Sequence, residues 1–236
     1  MNILNFLKSF ISFISDERCV ACDINRGFIC DSCKLLIPLN RNFCQICAYP
    51  FGSEISDIIC GKCLQKRPVY KKTFSPLIYE GFIRDVIIKA KFEGKFFYYT
   101  RLLELVYSYF EKEMEELKNS AKVIVPIPLS KERLIERGYN QSMIIAKFLS
   151  KKLKLPILYD KLIRVKNTKP QSKLGEKDRI ENIKGAFLLK KTDKTDKIVL
   201  VDDIITSGAT INEAALALKK GGVNEIQVFS LCRASF

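Results

Sequence analysis

Histidine is absent from the 236 residues. Any soft-ligand metal site must therefore be built from cysteine thiolates, and proton transfer cannot draw on an imidazole, the side chain that titrates nearest neutrality. Also absent is an apolar run of about 20 residues, the length a membrane-spanning helix needs. The best candidate, residues 1–15, is closed too early by Asp16-Glu17-Arg18. That segment also lacks the basic start and small-residue cleavage site of an export signal; its one charge, Lys8, sits in the middle. A cytoplasmic chain is expected. Ile3, Leu7, Phe10 and Ile14 share a helical face, so residues 1–15 are expected to form an amphipathic helix docked on the remainder. The alternative is peripheral contact with the inner face of a membrane.

What is present describes a globular protein: 47% hydrophobic and 28% charged residues, enough for one α/β domain and a small extra module. The net charge is +14, and residues 147–197 alone carry 16 basic against 6 acidic side chains. Such a face attracts phosphates, nucleic acid or acidic partners, though solubility alone can also account for surface lysines.

Eight of the nine cysteines form four Cys-x-x-Cys pairs, Cys19/Cys22, Cys30/Cys33, Cys44/Cys47 and Cys60/Cys63. Each pair sets two thiolates on a tight knuckle, and two knuckles complete a Cys₄ zinc site. Two sites are expected over residues 16–67. Sequential pairing is the simplest arrangement, and a cross-braced one is equally compatible with the spacing. Redox dithiols or an iron–sulfur cluster are the competing readings. A closed Cys₄ shell keeps no water on the metal, so the zinc is expected to be structural. Chelation is then expected to unfold residues 16–66 selectively. Cys232, the ninth, ends an apolar strand and is expected to be a buried thiol.

After Arg67-Pro68, strand-like and helix-like stretches alternate over residues 68–236. Residues 74–79, 123–128 and 226–231 are strand-like; 82–90 and 102–118 are helical. This alternation predicts a parallel sheet flanked by helices, with ligands beyond the carboxyl ends of the strands.

Residues 198–210 carry the most information: Ile-Val-Leu-Val-Asp-Asp-Ile-Ile-Thr-Ser-Gly-Ala-Thr. A continuous apolar run predicts a buried parallel strand. Asp202 and Asp203 follow, then a small-residue loop, then an amphipathic helix over 211–220. Free N–H groups at a helix start cradle a phosphate. Carboxylates beside them accept from vicinal sugar hydroxyls or hold Mg²⁺. The ligand so drawn is a phosphorylated sugar. All thirteen positions resemble the 5-phosphoribosyl-1-diphosphate (PRPP) signature of type I phosphoribosyltransferases. The resemblance implies that Asp202 and Asp203 bind ribose hydroxyls, while Thr206, Ser207, Gly208, Ala209 and Thr210 wrap the 5-phosphate.

Two further stretches suit the same ligand. The loop over residues 129–141 supplies Ser130, Lys131, Arg133, Arg137 and Gly138 at a strand end. Arg133 and Arg137 repel at i,i+4, and an anion between them relieves that. Residues 162–187 form a long basic connection with Arg164, Gln171 and Arg179, expected to be a mobile lid that closes over a diphosphate.

With Pro126-Ile127-Pro128-Leu129, Arg137-Gly138-Tyr139-Asn140-Gln141, Asn182, Gly185-Ala186-Phe187, Lys91-Phe92-Glu93-Gly94 and the four cysteine pairs, nearly the whole chain resembles the ComF/GntX family. The resemblance implies a type I phosphoribosyltransferase fold behind a double zinc ribbon, binding of PRPP with Mg²⁺, and a part in handling incoming single-stranded DNA during competence. Members are similar in their core to amidophosphoribosyltransferases, but this chain carries no glutamine-hydrolysing domain. The enzyme expectation is displacement of diphosphate from C1 of PRPP by an unidentified nitrogen acceptor. The second expectation is single-strand binding, with Phe96, Phe97, Tyr98, Tyr99 and Tyr139 as stacking surfaces. A third is docking on a helicase-like partner.

Overall fold

The computed structural model describes residues 18–24, 26–52, 58–166, 176–190 and 196–235. The amphipathic helix expected over residues 1–15 lies outside them. In chain order the elements are α1 (Asp31–Lys34), α2 (Gly61–Gln65), β1 (Lys72–Phe74), β2 (Leu77–Ile78), α3 (Gly81–Phe92), α4 (Phe97–Tyr109) and α5 (Glu111–Asn119). There follow β3 (Val123–Pro126), α6 (Lys131–Arg137), α7 (Gln141–Leu153), β4 (Leu162–Arg164), α8 (Glu176–Ile183) and β5 (Phe187–Leu189). The chain closes with β6 (Lys197–Ile205), α9 (Ala209–Lys220) and β7 (Glu225–Arg233).

The main sheet is parallel throughout, in the order β1–β7–β6–β3, with β2 continuing β1 along the same edge of β7. β6 lies at its centre, and its side chains alternate between two cores. Val199 and Val201 face one core with α3, α4 and α7; Ile198 and Leu200 face the other with α9. Each such burial stabilises by about 1.5–3 kcal/mol before chain entropy is counted. This is why the strand reads as an uninterrupted apolar run.

Three sequence expectations change. Residues 74–79 give two short strands, because Pro76 has no N–H for the ladder. Residues 102–118 do not form one helix. Phe110 leaves helical geometry at φ −133° and packs its ring edge-on against Phe74, 5.6 Å between centroids, so α4 ends and α5 begins around it. Residues 162–187 are not a bare lid: β4 and β5 pair antiparallel, Arg164 opposite Phe187, and α8 lies between them.

Phe97, Tyr98 and Tyr99 are buried, and Tyr139 donates its hydroxyl to the Ala90 carbonyl while packing on Phe96. These rings belong to the core and are not stacking surfaces.

The cysteine segment wraps one edge of the sheet. Its first half, around Cys19 to Cys33, joins the core under α4, where Phe28 meets Tyr98 at 5.3 Å. Its second half, around Cys44 to Cys63, joins the opposite core with Tyr70 and Ile205. Between them Leu39 bridges Leu77 antiparallel, and the Asn40 side chain donates to the Ala48 and Ser75 carbonyls. Each half therefore belongs to a different hydrophobic core. Stripping the cysteine clusters with a strong chelator should lower the main calorimetric transition of the whole chain by several degrees. A main transition that stays in place while only residues 16–66 become protease-sensitive would refute this coupling.

Candidate functional site

β3 ends beside the middle of β6, with the Ile127 N–H donating to the Val201 carbonyl at 2.9 Å. β6 then runs on along β7 alone, Asp202 opposite Ser230 and Ile205 opposite Arg233. The acidic pair therefore lies within a strand, not in the loop, on a stretch that β3 no longer covers. The loop shrinks to Thr206, Ser207 and Gly208, and α9 starts at Ala209, two residues before the expected 211. Gly208 permits this tight entry: its φ of 81° lies in the left-handed region. The Ser207 hydroxyl accepts from the Ala209 N–H at 3.4 Å.

The two carboxylates have different partners. Asp203 accepts from Tyr99 Oη at 2.8 Å and from Lys91 Nζ at 2.7 Å. Asp202 accepts from Ser142 Oγ at 2.9 Å and from the Asp203 N–H at 3.0 Å. Burial pushes the Asp202 carboxyl up to about 7, and the neighbouring Asp203 charge adds to it. Burial acts upward on Asp203 too, but the Lys91 charge and the Lys91 and Tyr99 hydrogen bonds outweigh it and hold that carboxyl low. Asp203 is thus an anchored anion, while Asp202 sits at the edge of ionisation.

Around this pair is a cavity of about 430 Å³ lined by Lys91, Arg133, Arg137, Arg164 and Gln141, with Thr206, Gly208, Ala209 and Thr210 at its loop end. Burial and the nearby Arg137 charge pull the Arg133 pKa down. Burial and the Arg133 charge pull Arg164 down to about 10. Arg137 lies over the Phe92 ring at 5.4 Å, and its Nε, like Gln141 Nε2, is buried with no hydrogen-bond partner among the described residues. Crowded, half-desolvated cations and idle donors are repaired by one polyanion.

Of the other residues singled out in sequence, Ser130 caps α6 by accepting from the Arg133 N–H at 3.4 Å, and Gly138 closes that helix in the left-handed conformation. Both shape the loop. Lys131 is exposed and lies outside the cavity lining. Arg164 lines the cavity from the end of β4, whereas Arg179 lies in α8 and Gln171 falls outside the described residues. Sequence reasoning missed Tyr99 and Ser142 as partners of the acids. Lys91 it carried only within a family motif.

Arg233 was missed altogether. Its buried guanidinium donates from Nε to the Cys47 carbonyl at 3.0 Å. Nη1 donates to the carbonyls of Ile205 at 3.0 Å, Ala234 at 3.0 Å and Thr206. One side chain thus ties the second cysteine knuckle to the start of the phosphate-type loop.

The sulfurs cluster in sequence order: Cys19, Cys22, Cys30 and Cys33 form one group, Cys44, Cys47, Cys60 and Cys63 the other, with all ligand atoms in a group within 4.8 Å of one another. The sequential pairing is the one the fold adopts. The Cys30 N–H donates to Cys19 Sγ at 3.3 Å, and the Cys60 N–H to Cys44 Sγ at 3.3 Å. Burial alone would raise both thiols, but such N–H donors draw Cys19 down to about 6 and Cys44 to about 7. No disulfide joins any of these cysteines, and the two donor sets fit a tetrahedral metal. Cys232 is fully buried, as its strand position predicts.

Fold and site together define a phosphoribosyltransferase-type domain with two Cys₄ clusters, and residues 139–235 match the phosphoribosyl transferase domain family. The chain is 34% identical to Competence protein F of Haemophilus influenzae, over 97% of this chain and all of that one. It is 30% identical to DNA utilization protein YhgH of Escherichia coli, over 87% of this chain and 90% of that one. To Competence protein ComFC of Bacillus subtilis it is 28% identical, over 87% of this chain and 84% of that one. The chain belongs to the ComF family.

The raised Asp202 pKa makes a signed prediction. The folded state holds this proton more tightly than the unfolded chain, so the stabilisation is present in full below about pH 4 and is lost as pH rises through 7. With no histidine to titrate in that window, the ligand-free, metal-loaded protein should melt several degrees lower at pH 8 than at pH 5.5. Asp202→Asn should flatten that profile, as measured by thermal denaturation across pH. Lys91→Met should melt lower than the parent at neutral pH, because it leaves the buried Asp203 carboxylate without its ion pair.

Proposed function

We propose that this protein binds PRPP with Mg²⁺ in the cavity at the end of β6, holds structural zinc in both cysteine clusters, and takes part in handling single-stranded DNA during competence. The observation that carries the first part is the meeting of the two β6 carboxylates, a ring of four cations and a helix-start loop in one cavity. A pentose bearing a phosphate at one end and a diphosphate at the other is the ligand that uses all three. The 5-phosphate accepts from N–H groups at Gly208 to Thr210, where the α9 dipole is also favourable. The ribose hydroxyls donate to Asp202, which is free to ionise, while Asp203 stays anchored by Lys91 and Tyr99. Arg133, Arg137 and Arg164 take the diphosphate; guanidinium forks match its oxygens. Asp202 would hold Mg²⁺, which would supply charge neutralisation at the diphosphate.

Positioned cations and anchored hydroxyls are what departure of diphosphate from C1 requires, since the developing charge needs stabilisation more than proton transfer. No side chain in the cavity offers an imidazole to activate an acceptor. The reading for DNA rests on the relatives named for competence and DNA utilization and on the +14 net charge. A cytoplasmic setting agrees with it, and no helix among the described residues is long and apolar enough to cross a membrane.

Calorimetric titration with Mg²⁺ and PRPP should show one site in the parent, and Asp202→Asn/Asp203→Asn should weaken it at least tenfold while the cysteine clusters keep their metal. No binding by the parent would end the PRPP reading. Affinity for a labelled single strand should fall steeply with salt, tracking the number of phosphates contacted. Salt-independent affinity would count against backbone contacts.

A further inference from the structure

A second cavity, about 600 Å³, lies on the far side of the phosphate-type loop, between the second cysteine knuckle and the start of α9. Gly208 and Ala209 border both cavities, so the loop is a shared wall. Nothing in the PRPP reading uses this space. Its neighbour is a Cys₄ cluster whose four thiolates would fill a tetrahedral shell and leave no position open toward the cavity.

The lining has two contrasting parts. One wall is aromatic: Tyr49 and Phe51 are half-buried, their ring centroids 6.4 Å apart at 69°. The buried Arg233 guanidinium backs Tyr49 at 5.5 Å, which holds that ring in place. The rim is cationic: Lys62, Lys66 and Arg67 are exposed. Among the described residues of the lining the one carboxylate is Glu213, which accepts from the Gly185 N–H at 2.7 Å. An occupant with a flat apolar face and an attached anion satisfies both parts. The rings of Phe97, Tyr98 and Tyr99 cannot serve that role, because they lie in the core.

We infer that this cavity binds a nucleotide, its base against Phe51 and Tyr49 and its phosphate on Lys66 and Arg67. The inference rests on the DNA-handling reading and assigns that reading a place in the fold. Base–aromatic stacking tolerates any sequence, because every base has a π-face. The same chemistry is offered by a free mononucleotide and by one unit of a single strand.

The test uses the full chain, with fluorescence anisotropy of a labelled oligo(dT) in low salt for the parent, Phe51→Ala and Lys66→Glu/Arg67→Glu. Zinc content and PRPP titration serve as controls on the fold and on the first cavity. Each variant is expected to bind the oligonucleotide at least tenfold more weakly, with zinc content equal to the parent's and PRPP affinity within twofold. Competition by dTMP at concentrations where it displaces the oligonucleotide assigns the site to free nucleotides; displacement by short oligonucleotides alone assigns it to the strand. If the parent binds oligo(dT) but the variants bind it equally well, the cavity is not the site and the DNA-handling reading stands without it. If the variants lose PRPP along with the oligonucleotide, a separate site is overturned. If the parent binds neither oligo(dT) nor dTMP, the DNA reading and this inference fall together.

Discussion

β6 must be kept dry on both faces and hydrogen-bonded on both edges as far as Val201, and the rest of the chain is arranged to meet that requirement. Helices α3, α4 and α7 cover one face, and α9 covers the other. β3 and β7 satisfy its backbone, and the cysteine segment covers the outer edge beyond β7, where an unpaired strand would otherwise be exposed. Function begins where the requirement lapses. Past Val201 the strand loses β3, and the first two uncovered residues are the acids.

Charge is the second organising constraint. An anionic pair lies inside a ring of cations, several of them half-desolvated, which leaves the cavity poorly balanced. Lys91 and Tyr99 resolve half of the imbalance by fixing Asp203; Asp202 is left close to ionisation. Arg233 carries the coupling further: its four carbonyl partners belong to the knuckle, the strand end, the loop and the C-terminal segment. The cysteine clusters are thereby part of the architecture that sets the phosphate-type loop.

Much of this was legible in the chain's letters because the signals were local. The run 198–201 announced a strand buried on both faces, and the four Cys-x-x-Cys pairs announced two knuckle pairs. Thr206 to Thr210 announced a helix-start loop. The errors have a common cause in long-range packing. Phe110 broke an otherwise periodic helix because Phe74, 36 positions away, offered its ring a better place than the helix did. The aromatics at 97–99 looked like a stacking surface until the fold put them inside. A basic stretch expected to be a lid contains a strand pair, because β4 needs a partner and β5 supplies one 23 residues later.

The sequence by itself determined the element types around β6, the identity of the acid pair, the four Cys-x-x-Cys pairs and the family. These follow from residue type at short spacing, where backbone geometry leaves few choices. Tertiary structure alone decided that the pairs group sequentially and that the two Cys₄ clusters join opposite cores of the sheet. It also decided that Lys91 and Tyr99 take Asp203 while Ser142 takes Asp202, and that Arg233 joins knuckle to loop. Those pairings link residues from about 60 to 190 positions apart, and no local pattern encodes which buried charge or carbonyl a distant side chain will meet.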